Sequence, residues 1–250
     1  MTAFKDHFSG HAGIYCEARP TYPPDLFAWL TRQAPDTELA WDCGCGNGQA
    51  TVALAGHFAC VVGSDPSASQ IAQAQPSANV AYRVEPAERS SFADGSVSLV
   101  TVAQALHWFD HARFYAEVRR VLKPGGIIAA WAYSDCTTGD AAIDRIKDRL
   151  YVDLTGPYWP PERVHVDAGY RTLPFPFAEM KTPAFSMISH WNADQFLAYL
   201  RSWSASQRYL KATGDDPVAL IEPDLRTAWG DPAQARAVRW HFHLRAGCNR

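Results

Sequence analysis

Four residues at alternate positions, Asp42-x-Gly44-x-Gly46-x-Gly48, form the stretch of this chain best suited to hold a ligand. Leu39, Ala40 and Trp41 before it read as a short buried strand, and residues 50–55 after it read as a helix. A strand that turns into a helix without side chains at the turn lets a ligand lie against bare backbone. A second acid, Asp65, follows Gly48 by 17 residues, the length of one helix and one strand. An acid at the end of the second strand of a βαβ unit is placed to accept from both hydroxyls of a ribose. Its alternative use as a helix N-cap is weaker, because Ser67-x-x-Gln70 already makes a capping box there.

The choice of nucleoside ligand turns on charge. A dinucleotide fingerprint needs a third glycine where this chain has Gln49. Asp42 at the strand tip would repel a pyrophosphate and attract a positive group. S-adenosylmethionine carries an ammonium, a sulfonium and no phosphate. The run therefore favours S-adenosylmethionine over NAD, with a nicotinamide-type oxidoreductase as the alternative.

The elements that must position these residues follow in order. Pro24 suits the first turn of a helix reaching about residue 33. Strands are predicted over 60–65, 80–84, 97–103 and 127–131. Asp110 caps a helix over 111–122. Apolar strands alternating with helices predict an α/β fold, an open, doubly wound and mostly parallel sheet. His107 and Trp108 follow the fourth strand, at the carboxyl edge where open sheets bind ligands. His107 is thus a candidate for substrate hydrogen bonding or general base, against a purely structural role.

Beyond residue 137 the pattern changes. A helix is predicted over 140–154, followed by the proline- and aromatic-rich stretch from Gly156 to Phe177. That stretch is long for a loop and predicts a cap, 134–178, over a substrate. A sixth strand is predicted over 180–189, and Asn192-x-x-Gln195 caps a further helix. A helix is also predicted from Asp216-Pro217 to about Trp229, and an alternating last strand over 237–244. Arg201 and Arg208 either face a carboxylate or sit as solvated charges.

The segment 42–133 resembles class I S-adenosylmethionine-dependent methyltransferases, closest to the small-molecule type 11 group that includes trans-aconitate methyltransferase-like proteins. The resemblance extends upstream to the Tyr15…Arg19-Pro20-x-Tyr22-Pro23 arm and more weakly downstream. It implies a Rossmann-like sheet of seven strands with the last antiparallel, and S-adenosylmethionine as cofactor. It also implies methyl transfer to a small molecule, with a carboxylic acid as one such acceptor. For site residues it implies Tyr15 and Arg19 near the methionine moiety, Gly44, Gly46 and Asn47 in the turn, and Ala87, Glu88 and Ala103 around the nucleoside. Packing for Tyr15, a surface ion pair for Arg19 and a solvated charge for Glu88 are the alternatives. A cofactor-binding protein without catalysis is a further one, since the chemistry needs few side chains.

Composition bounds the rest. With 250 residues, 47% hydrophobic and 20% charged, the chain suits a single domain, 1–250, with a sizeable core. In it 1–35 is an N-terminal arm and helix, 36–133 the cofactor core and 179–250 the rest of the sheet and helices. The net charge of -3 and the lack of a Lys/Arg-rich run leave no nucleic-acid footprint. No apolar run is long enough to span a bilayer, and the N-terminus lacks a secretory h-region. Six cysteines make no disulfide framework, which predicts a reduced cytoplasm. No metal site is expected. Cys43-x-Cys45 occupies positions that need small residues, and His241-x-His243 offers only two ligands.

Overall fold

The computed structural model describes residues 19–249, which form an open sheet with helices on both faces. Its first half alternates helix and strand. Helix α1 (Pro24–Gln33) precedes β1 (Leu39–Cys43), α2 (Gln49–Ala55), β2 (Cys60–Asp65) and the short α3 (Ala68–Ile71). Then come β3 (Val80–Val84), β4 (Val97–Ala103), α4 (His111–Val121) and β5 (Leu122–Thr137). Pro24 sits in the first turn of α1, Ser67 accepts from the Gln70 amide, and Asp110 accepts from the Arg113 amide. These five strands pair in the order β3-β2-β1-β4-β5, all parallel. Crossover helices cover both faces, so β4 is buried along its length up to Ala103.

The second half builds a helical body against the ends of the sheet. Helix α5 (Ala141–Asp148) runs into a π turn (Arg149–Leu154), a 3-10 turn (Gly156–Tyr158) and α6 (Arg163–Asp167). After β6 (Ala178–Glu179) and β7 (Met187–Trp191) come α7 (Ala193–Arg201), α8 (Ser204–Thr213), α9 (Glu222–Trp229) and β8 (Arg236–Cys248). The last strand is antiparallel to β5 on one side and to β6 and β7 on the other.

Three details differ from expectation. The sixth position is split into β6 and β7, so the sheet has eight strands rather than seven. Pro183 lies in the interruption, and a proline cannot donate to a ladder. Strands β5 and β8 run to 16 and 13 residues, because they keep pairing beyond the end of β4 as far as Thr137 and Arg239. Helix α9 starts at Glu222 rather than Pro217, with Pro223 in its first turn.

The long strand ends divide the core. Trp41, Val100, Val102, Phe114 and Val118 fill one face of the sheet, and Leu26, Leu30, Leu54, Ala40 and Trp131 fill the other. A third cluster joins Tyr133, Cys136 and Trp240 on the strand extensions to Ile143, Phe196, Leu200, Trp203 and Trp229 on the helices. The cap helix α5 therefore packs with α7 and α9 as one body, a link that no local pattern carries. Among the described residues, no helix is long and apolar enough to cross a membrane.

Candidate active site

The glycine turn has the backbone that its sequence demands. Gly44, Gly46 and Gly48 have φ of +69°, +55° and +88°, a region that costs other residues roughly 1–2 kcal/mol. A Cβ on Gly44 would lie 2.7 Å from Ala105 Cβ and 3.0 Å from Phe109 Cζ, and one on Gly48 would lie 2.1 Å from the Tyr82 oxygen. The Gly44 and Cys45 amides both donate to Ser64 O, at 2.8 and 2.9 Å. Asp65 closes the turn: its carboxylate accepts from the Gly46 amide at 3.0 Å and the Ser67 amide at 2.9 Å. Asn47 stands at the crest, and its carbonyl accepts from the Gln75 amide.

Asp42 behaves differently from expectation. It is wholly buried, and its carboxylate accepts from the Thr51 hydroxyl on α2 at 2.6 Å and the Thr101 hydroxyl on β4 at 2.9 Å. Thr101 stands opposite it in the parallel register. Burial pushes its pKa up to about 6 despite these bonds. The expected carboxylate open at the mouth of the turn is thus a carboxylate beneath the turn. It can act on a ligand only through the field at the turn and through the packing of α2.

Three other expected residues are placed as follows. Ala87 is buried and Ala103 half-buried at the end of β4. Glu88 accepts from the Asp110 amide at 2.9 Å, so it tethers the residue that caps α4, a use that the sequence did not suggest. Tyr15 lies outside the described residues. Arg19 donates to the Tyr133 hydroxyl at 2.9 Å and to Ser202 O at 3.2 Å, and Gln49 donates to the carbonyl of the next residue, Pro20, at 2.8 Å.

Residues 104–109 link the turn to a cavity. Ala105 and Phe109 press on Gly44, while Gln104, His107 and Trp108 line the cavity. Its other walls include Arg19, Tyr133 and Asp135, then Tyr151, Trp159 and Arg163 from the cap segment, then Tyr199 and Trp203. Arg163 lies over the Trp159 ring at 4.7 Å, and its Nε donates to Asp167 at 2.9 Å. No hydrogen bond from its two terminal nitrogens is found among the described residues. His107 Nδ1 is 3.0 Å from the hydroxyl of buried Tyr170. Burial, with the Arg163 charge second, pushes its pKa down to about 3.

The sequence did not single out several of these residues. Gln104 and Tyr170 have φ of +57° and +60°, the non-glycine residues in the left-handed region among those described, and both adjoin His107. Such backbone persists only where its surroundings over-determine it, and it gathers at functional sites. The Gln104 amide donates to Tyr133 O at 2.9 Å, while its buried Oε1 has no partner among the described residues. Conversely, Arg201 is held away from the cavity by Asp216 at 2.8 Å and Glu222 at 2.5 Å.

Comparison with known proteins names the chemistry. Residues 41–130 match the family described as Methyltransferase domain. A Dictyostelium discoideum protein described as a candidate methyltransferase is 34% identical over 91% of this chain and 88% of its own length. A solved structure from Anaeromyxobacter dehalogenans, described as a candidate type II methyltransferase, has 47% identity and a TM-score of 0.86. It covers 92% of this chain and 98% of that one. The chain belongs to this methyltransferase family. It is an enzyme of the S-adenosylmethionine-dependent kind, and that membership takes the place of the oxidoreductase alternative. A Saccharomyces cerevisiae protein described as an S-adenosylmethionine-dependent methyltransferase candidate is 31% identical over 48% of this chain and 44% of its own length.

The residues present fit that cofactor. Among the described residues, a Cβ on Gly46 would meet only Gln70 Oε1, at 3.7 Å, so this side of the turn is open to a ligand where Gly44 and Gly48 are closed. The unpartnered Gln104 oxygen is an acceptor of the kind an ammonium group requires.

Proposed function

We propose that this methyltransferase acts on a small-molecule acceptor, a carboxylic acid, held in the cavity beside His107. The observation that carries the reading is Arg163. Its guanidinium is stacked on Trp159 and anchored at Nε, the residue lines the cavity, and its two terminal nitrogens have no hydrogen-bond partner among the described residues. A planar cation held that way suits a bidentate carboxylate. Tyr151, Trp159, Tyr199 and Trp203 supply the apolar walls for the body of the acid.

For the cofactor, the reading assigns Gly44, Gly46 and Asn47 to the backbone cradle and Asp65 to the ribose. It assigns Ala87 and Ala103 to the walls and Arg19 to the amino-acid end. Glu88 acts through its tether to Asp110. When bound, S-adenosylmethionine supplies an electrophilic methyl group on a cationic sulfur, with a neutral thioether as leaving group. The protein's tasks are then orientation and the exclusion of water. In the segment 104–109, Ala105 and Phe109 face the glycine turn while Gln104, His107 and Trp108 line the cavity. That segment sets the distance between the two ligands.

Methyl transfer from labelled S-adenosylmethionine across a panel of carboxylic acids and matched alcohols and amines tests this. Label is expected in acids alone. Label only in amines or alcohols would overturn the carboxylate assignment. Calorimetric binding of S-adenosylhomocysteine with no transfer to any acceptor would favour a binding protein.

A further inference from the structure

We infer that His107 is held as the neutral Nε2–H tautomer and serves as a hydrogen-bond donor to the methyl acceptor, not as a base. The inference rests on the proposed acceptor site and adds a role to it. It starts from Tyr170. That phenol is wholly buried, and its hydroxyl has one hydrogen to give. The acceptor within reach of the phenol hydrogen among the described residues is His107 Nδ1, at 3.0 Å. Were Nδ1 protonated, it would donate to the phenol oxygen and leave the phenol hydrogen buried without an acceptor among the described residues. That costs about 1–3 kcal/mol. Nδ1 is therefore the acceptor, and the ring hydrogen sits on Nε2.

Nε2 has no hydrogen-bond partner among the described residues, and His107 lines the cavity. The groups facing the ring agree with a neutral donor. Arg163, His165 and His111 each disfavour its cation, and burial does so most. Asp135, the carboxylate on the cavity wall, is engaged by buried Lys147 and by the Cys136 amide at 2.8 Å. The Tyr133 hydroxyl accepts from Arg19, and Tyr151 is pushed up to about 12 by burial. Among the described residues the cavity thus offers donors and no ready proton acceptor. It takes an acceptor whose nucleophilic oxygen arrives already ionised. A lone pair of that oxyanion forms the new C–O bond as the C–S bond breaks. The C–S electron pair goes to sulfur, both charges are cancelled and no proton is released.

The twisted backbone of Tyr170 fits this role. With φ of +60°, and with Arg245 donating to Tyr170 O at 2.9 Å, the ring is fixed against the 3-10 turn Leu106–Trp108. It sets the tautomer of the histidine that, among the described residues, lines the cavity beside Trp108.

Long-range proton–nitrogen NMR of the ligand-free protein labelled at histidine tests the tautomer, with the His107 signals assigned from the His107→Gln spectrum. Nδ1 is expected to resonate as a bare nitrogen and Nε2 as a protonated one, unchanged from about pH 8 to about pH 5. In Tyr170→Phe, that preference is expected to be lost. A protonated Nδ1, titration of the ring near neutrality, or an unaltered tautomer in Tyr170→Phe would each overturn the inference. With an acceptor from the labelled panel, the pH profiles of kcat/KM for the wild type and His107→Gln are expected to be parallel. An ascending limb present in the wild type and absent in His107→Gln would show a base and overturn it. The NMR arm needs no cofactor or acceptor, so its failure is distinct from failure of the carboxylate reading.

Discussion

The glycine turn and the aromatic cavity lie on either side of one six-residue bridge, 104–109, yet they are built on opposite principles. The turn is backbone: three left-handed glycines, amides that converge on Ser64 O, and Asp65 closing it from the next strand. The cavity is side chain: rings and cations gathered from β5, the cap segment and α7–α8. A backbone site tolerates almost no substitution but says little about the acceptor. A side-chain site can be rebuilt residue by residue, and it sets which molecule is methylated. The division predicts that variants on the two sides will separate cofactor affinity from acceptor affinity.

The largest effect is expected at Gly44. Gly44→Ala combines a left-handed backbone penalty of roughly 1–2 kcal/mol with overpacking against Ala105 and Phe109 of about 1–3 kcal/mol. Calorimetry should show S-adenosylhomocysteine binding weakened at least about thirtyfold. Gly125→Ala is the control, since its φ is +75° but none of the described residues lies within 4 Å of the added Cβ. It should cost stability alone. If both variants bind the cofactor alike, close packing around the turn is not what shapes the cofactor site.

Arg163→Leu comes next. It keeps an apolar body against Trp159 and removes the charge-assisted bonds, each worth about 1.5–3 kcal/mol. KM for a carboxylic acid should rise roughly ten- to a hundredfold, with S-adenosylhomocysteine affinity unchanged. A parallel loss of cofactor affinity would merge the two sites and break the comparison.

How much of this was legible follows from the same contrast. The turn can be read because its requirements are local. Glycine at alternate positions signals positive φ, and an acid one βα unit later signals the end of β2. The five parallel strands and the caps at Ser67, Asp110 and Asn192 are legible for the same reason. The cavity has no such grammar. Tyr133, Arg163 and Trp203 meet only because β5 outruns β4 and the cap packs on α7. From sequence, Arg201 is as good an anion binder as Arg163. Asp216 and Glu222, brought beside it by folding, decide otherwise. Gln104 and Tyr170 take left-handed backbone without being glycine, so composition cannot flag them. Asp42 was found by its place in the run but misread in its exposure, because Thr51 and Thr101 look like ordinary helix and strand residues until the register is known.

Asp42 supplies a smaller and more particular test. Its carboxyl has a pKa raised from 3.8 to about 6. Below the unfolded value it is protonated in both states, whereas above the folded value the native protein must hold a buried charge. Its contribution therefore declines as pH rises from about 4 to about 6, by about 3 kcal/mol in total. Asp42→Asn escapes that decline. Urea melts should show the variant gaining on the wild type between about pH 4 and about pH 7, even as cofactor binding weakens by about tenfold. A constant difference across that range would mean that Thr51 and Thr101 compensate burial fully.

The smallest effect is expected at Glu88, where the two halves of the molecule make opposite claims on one side chain. If Glu88 works as a tether, its job is to accept from the Asp110 amide, and an amide oxygen does this as well as a carboxylate. Glu88→Gln should then alter S-adenosylhomocysteine affinity by no more than about twofold. Glu88→Ala should lose about 0.5–1.5 kcal/mol of stability, as for one hydrogen bond, and loosen the segment that bridges turn and cavity. If the carboxylate instead meets the adenine amine, Glu88→Gln presents a donor in place of one acceptor. Affinity should then fall about tenfold or more with the melting temperature unmoved. Since the substitution leaves shape and tether intact, calorimetry on this variant separates a residue that holds the bridge from one that touches the cofactor.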